Sequence, residues 1–146
     1  MHSTGKTERT RKSYIKAFYD EKTGLYCDNI EKTHSEVHSN ILPLLFEIGT
    51  ANEAVRQHLV DFVCDKRLTA MGVYMAYFAL AALVKSGESE KAVELATDEN
   101  AWLNMLSEGA TSTFEAWGKD QKKNSSLFHP WATGPLVAFA ENTEIY

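Results

Sequence analysis

The stretch LTAMGVYMAYFALAALVKSGE, residues 68–88, decides the fold class, because from Ala70 to Val84 almost every side chain is apolar. A run of about fifteen residues falls short of the roughly twenty needed to cross hydrocarbon, and Gly72, Tyr74 and Tyr77 interrupt it. A helix that is apolar on most faces has to be surrounded by other elements. Residues 72–85 are therefore predicted as a core helix, closed by Gly87.

Upstream, residues 52–64 set Val55, Leu59, Val60, Phe62 and Val63 at helical spacing. Before that, Ser35 is placed to cap a helix carrying Ile41, Leu42, Leu45, Phe46 and Ile48 and ending at Gly49, with Pro43 predicting a kink or a late start. Further back, Tyr14, Ile15 and Phe18 line a narrow stripe of a helix over 7–18 whose exposed face is basic. Residues 20–24 are turn chemistry, and 25–27 read as a short extended piece. Downstream, Ser89 begins a helix reaching Thr97, 102–107 is a shorter one, and 131–140 is the last. Only residues 110–117 alternate as a short strand does. About six helical segments make the chain mostly α. No linker, low-complexity tract or fixed-period repeat divides residues 1–146, so a single helical domain is expected.

The chain has 146 residues, 44% hydrophobic and 24% charged, which suffices for one domain with a real core. Its formal net charge of −5 gives no overall basic field, so neither nucleic acid nor a membrane surface is expected as a partner. Lys119, Lys122 and Lys123 form a small basic patch in a loop rich in Asp, Gln and Asn, read as a solvated connection. Cys27 and Cys64 lack CxxC spacing and are expected as free thiols. The first six residues lack the charged start and apolar stretch of a secretory signal, which predicts a cytoplasmic chain.

Glu115 stands between Phe114 and Trp117, in a segment punctuated by Gly109, Gly118, Pro130 and Gly134. Irregular backbone of this kind can project a carboxylate into a cleft, where aromatic faces stack on a sugar ring and carboxylates and imidazoles bond its hydroxyls. A glutamate among tryptophans is also, and more often, a salt-bridged surface residue, so composition leaves both readings open. Trp102 and Trp131 are open to either sugar stacking or core packing, while Trp117 is the better sugar candidate because it adjoins Glu115. His34 and His38, four apart, would share one helix face as metal ligands do. Glu36, however, lies about 200° round the helix from His34, so H-E-x-x-H chemistry is absent. Hydrogen-bonded or capping histidines are expected there, and neither a metal nor an organic cofactor.

GATSTFEAWG (109–118) and SLFHPWATGP (126–135), in that order and spacing, resemble the α-L-rhamnosidase family of glycoside hydrolases, family 78. FYD with TGLY (18–20 and 23–26), HSEVHSNILPLLFEIG (34–49) and LTAMGVYMAYFALAALVKSGE extend the resemblance over about 7–140. It implies an (α/α)6 barrel of helical hairpins that releases terminal rhamnose with inversion. Inversion needs two carboxyl groups, one protonating the leaving oxygen and one activating water, roughly 6.5–9.5 Å apart. Glu115 matches the general base, His129 a histidine that contacts the sugar, and Trp117 and Trp131 are the accompanying substrate-binding candidates. The family's general acid lies in an earlier Asp/Arg/Glu-rich motif, and nothing in residues 1–85 resembles it.

The expectation is thus a partial (α/α)6 toroid of about three hairpins, with short extended segments near 25–27 and 110–117. The isolated chain should not hydrolyse rhamnosides, its ligand should be a rhamnose-containing carbohydrate, and exposed barrel faces should be covered in a homo-oligomer. The rival expectation is a non-catalytic helical module that binds carbohydrate or self-associates.

Overall fold

A computed structural model describes residues 3–142. The chain runs α1 (Ser3–Phe18), β1 (Tyr19–Asp20), β2 (Leu25–Tyr26), α2 (Val37–Leu45), α3 (Glu53–Lys66), α4 (Val73–Lys85), α5 (Ser89–Ala96), α6 (Trp102–Ser107) and α7 (Gly134–Asn142). Single 3-10 turns occupy Leu68–Ala70 and Pro130–Thr133. The described residues are mostly helical, as the periodicity predicts.

Helix α4 is the hub. Val73, Ala76 and the unbroken run from Ala79 to Val84 are buried, and α2, α5 and α7 all pack against it. Ala76, Ala79, Ala81 and Ala82 are small enough to let three helices approach one. The closest approach is at the start of α7, where a Cβ on Gly134 would lie 2.8 Å from Tyr77 Cβ. Helix α3 packs on α2, its first turn capped by Asn52, whose side chain accepts from Ala54 N at 3.0 Å.

The two short strands pair antiparallel, Tyr19 with Tyr26 and Asp20 with Leu25. Asp20 shapes the turn between them, its carboxylate accepting from Lys22 N and Thr23 Oγ1, and Gly24 completes it at φ +71°. Tyr26 is then held from both sides. Its N–H donates to Asn40 Oδ1 at 2.8 Å, while its carbonyl accepts from Asn40 Nδ2, Ser35 Oγ and Ser39 Oγ. Its hydroxyl donates to Ile48 O at 2.7 Å, and burial pushes the phenol pKa up to about 12. Gly49, at φ +74°, passes so close to that hydroxyl that a Cβ would collide with it.

Several sequence expectations change. Ser35 does not cap α2: Glu36 occupies the N-cap without a side-chain bond, because the Ser35 hydroxyl is committed to Tyr26 O. Pro43 lies inside α2 rather than delaying its start, and the helix ends at Leu45, short of Ile48. His34 precedes the helix and pairs with Asp28 at 2.7 Å, so His34 and His38 do not share a helix face. Residues 110–117 form bends rather than a strand, although Glu115 N donates to Ser126 O and His129 N to Thr113 O. Those two bonds hold the segments carrying Glu115 and His129 side by side.

Candidate functional site

Helix α6 and the segment that follows it present Glu115. Gly109, at φ +79°, ends the helix, and the chain doubles back with Phe114 buried against Met105, whose sulfur accepts from Phe114 N at 3.4 Å. Asn104 donates to Trp117 O at 2.7 Å and to Glu108 Oε1 at 3.0 Å. Lys119 N in turn donates to Glu108 Oε2 at 2.7 Å, fixing the exit of the loop. A Cβ at Gly118 would lie 2.9 Å from Glu108 Oε1, so a larger residue here would displace that carboxylate from its bonds to the loop.

Trp117 is 4% exposed, and its indole N–H donates to Met71 O at 2.7 Å. Trp102 meets it edge-on, centroids 4.8 Å apart, and donates its own N–H to Ala132 O at 2.7 Å. This indole pair ties the loop to the entrance of α4 on one side and to the turn after His129 on the other. Both rings have structural partners, and Trp117 offers no free face for stacking.

The carboxylate of Glu115 is held at both oxygens. Oε1 pairs with the Lys122 ammonium, Oε2 accepts from Ser126 N at 3.1 Å, and the side chain is 19% exposed. Lys122 and the Ser126 amide hold the carboxyl below the usual glutamate range despite some desolvation. It is ionised at neutral pH and reachable by water. Lys122, read in the sequence as part of a solvated connection, is instead the direct partner of the central acid.

His129 follows the same loop. Its ring shares a hydrogen bond between Nε2 and the Tyr74 hydroxyl and stands edge-on to the Tyr74 ring, centroids 5.3 Å apart. With the hydroxyl donating, the imidazole proton sits on Nδ1. Thr113 Oγ1 donates to His129 O at 2.6 Å, so the backbone is clamped as well. Trp131, 76% exposed, also meets the Tyr74 ring edge-on, centroids 5.6 Å apart. Tyr74, Tyr77, Phe78, Pro130, Trp131 and Val137 line an apolar cavity of about 290 Å³ beside it.

Of the four residues nominated from sequence, Glu115 is paired with Lys122, His129 and Trp131 both meet Tyr74, and Trp117 is packed in the core. Tyr74 carried a faint signal, a hydroxyl in an otherwise apolar run. Lys122 carried none, because its partner is reached across a loop rather than at a helical spacing. Among the described residues, no group of three or more His, Cys, Asp or Glu is arranged to hold a metal ion, and no helix is long and apolar enough to cross a membrane.

A family model described as the bacterial alpha-L-rhamnosidase 6 hairpin glycosidase domain matches residues 4–142. The chain belongs to that family. Membership agrees with the mostly helical architecture, which is consistent with part of a six-hairpin glycosidase domain, and it implies a carbohydrate substrate. The curated proteins and the solved structures searched gave no match. Within the rhamnosidase framework, an ionised carboxylate, a histidine bonded to a tyrosine and an exposed indole are the kinds of group that hold a sugar and activate water beside it.

Proposed function

We propose that this chain carries the general-base side of a rhamnoside-hydrolysing site, with Glu115 activating water and His129, Tyr74 and Trp131 receiving a terminal α-L-rhamnose. The supporting observation is Glu115 itself: an ionised carboxylate, open to water, tethered by backbone bonds to the segment that carries His129. A base must be unprotonated to take a proton from water, and Lys122 keeps it so. In the inverting reaction the water attacks the anomeric carbon as its proton passes to Glu115, and the leaving oxygen takes a proton from a separate acid. On our reading, nothing in residues 1–85 resembles the family's Asp/Arg/Glu-rich acid motif. The reading is therefore sugar binding without turnover by this chain alone.

Rhamnose titration followed by tryptophan fluorescence tests it. Saturable change in the wild type, weakened in His129→Ala, is expected; a flat trace at high sugar removes the proposal. Aryl α-L-rhamnoside hydrolysis should stay at background for both the wild type and Glu115→Gln. A wild-type rate above that of the variant would show that the chain supplies its own acid.

A second reading rests on a separate observation, the exposed apolar side chains Phe78, Leu136 and Val137 of α4 and α7. We propose that a second copy of the chain covers this face. Sedimentation equilibrium giving a monomer at all concentrations would dismiss it.

A further inference from the structure

We infer that Lys122 is a positioning residue for Glu115, and that the loop 118–126 acts as a clasp fixing both oxygens of the base. The inference rests on the reading of Glu115 as a general base. It stands on three geometric observations. First, one loop supplies both partners: the Lys122 ammonium on Oε1 and the Ser126 amide on Oε2. Two contacts on one carboxylate fix its plane as well as its position, and so fix which lone pairs remain for water. Second, the loop is anchored at its start. Trp117 N donates to Gln121 Oε1 at 3.1 Å, and Lys119 is bonded to Glu108 through both its amide and its ammonium. Third, the chain reverses after Lys122, with Ser125 N donating to Lys122 O at 3.1 Å and Asn124 at φ +61°. That reversal is what brings Ser126 N back to the carboxylate.

Lys122 from the loop contacts Glu115 directly, while Tyr74 from α4 bonds His129 from the segment after it. Lys119 and Lys123 are exposed, and Lys119 is spoken for by Glu108. Lys122 is thus the cation whose removal should be felt at the carboxylate. Without it, Glu115 keeps one amide donor and loses the charge that opposes its protonation.

The test is a carbon-13 NMR titration of the Glu115 carboxyl in the full chain, for the wild type, Lys122→Met and Lys122→Arg, with Glu115→Gln to assign the signal. Lys122→Met should raise the midpoint and Lys122→Arg should hold it near the wild-type value. An unchanged midpoint in Lys122→Met would overturn the inference. Should Lys122→Met fold poorly, salt provides a second measure. The wild-type midpoint should climb with ionic strength as the pair is screened through its exposed lysine, and a salt-insensitive midpoint would equally overturn it. Rhamnose binding followed across pH separates positioning from mere structure. The acid limit of binding should move up with the Lys122→Met midpoint and return with Lys122→Arg. A midpoint that moves while the binding limit stays put would overturn the positioning role. A wild-type chain that binds no rhamnose at any pH would remove the functional reading, whereas the titration would still report on the clasp.

Discussion

Asn40 and Glu115 are the centres of two polar knots built in opposite senses. Asn40 is 0% exposed, neutral, and its amide is closed on the backbone: Oδ1 accepts from Tyr26 N, and Nδ2 donates to Tyr26 O and Glu36 O. Glu115 also has both oxygens engaged, but it is ionised, its cation comes from a loop that solvent reaches, and part of the carboxylate remains open. A neutral amide can be buried once its bonds are satisfied, whereas a charge is costly there even when paired. The first knot therefore fastens the β-hairpin to α2. The second keeps a group in a state that water or a hydroxyl can still use.

The sharpest way to break this contrast is Asn40→Ala. Removing the amide strands the Tyr26 N–H inside the core, and stability should fall by about 1–3 kcal/mol in urea denaturation, the usual cost of one buried group left unpaired. Rhamnose binding should survive in the folded fraction. A loss below about 1 kcal/mol would mean that the knot is not a fastening. Gly49→Ala comes next, combining φ +74° with a collision against the Tyr26 hydroxyl, at about 1–3 kcal/mol by the same measurement. Trp131→Ala should do the reverse, weakening rhamnose binding several-fold while changing stability by no more than about 0.5 kcal/mol, since the ring is largely exposed. The mildest effect belongs to pH. Because Lys122 and Ser126 N lower the folded-state pKa of Glu115, its contribution to stability is complete above the unfolded value and fades as pH falls through the folded one. Glu115→Gln should accordingly lose that small contribution at neutral pH and converge on the wild type as pH falls below about 4.3, read from thermal unfolding across pH.

Much of the fold was legible because α3 carries its burial as periodicity and α4 as an almost unbroken apolar run, each along one segment. The Asn40 knot was not legible, since Asn40 sits inside a helical run and its partner Tyr26 is fourteen residues away on a strand. The misreading of Ser35 has the same origin: a serine ahead of a helix is a good cap only if its hydroxyl is free, and Tyr26 O had taken it. At the site, motif resemblance singled out Glu115, His129 and Trp131, but it could not reveal that Trp117 faces inward to Met71 O. Lys122 was hidden for a simpler reason. Three lysines in a polar loop look alike until the chain reversal at 122–126 places one of them on the carboxylate.

The three tryptophans differ in a way that makes the protein its own optical reporter. Trp102 and Trp117 are locked edge to face with both N–H groups bonded to backbone carbonyls, while Trp131 stands in solvent beside His129 and Tyr74. Emission from the interlocked pair should lie to the blue and resist iodide, and emission from Trp131 should lie to the red and yield to it. Sugar arriving at the proposed site would then be seen as protection of the red component alone, whereas loosening of the scaffold would shift the blue one. One spectrum can thus distinguish occupancy from unfolding without any label being added.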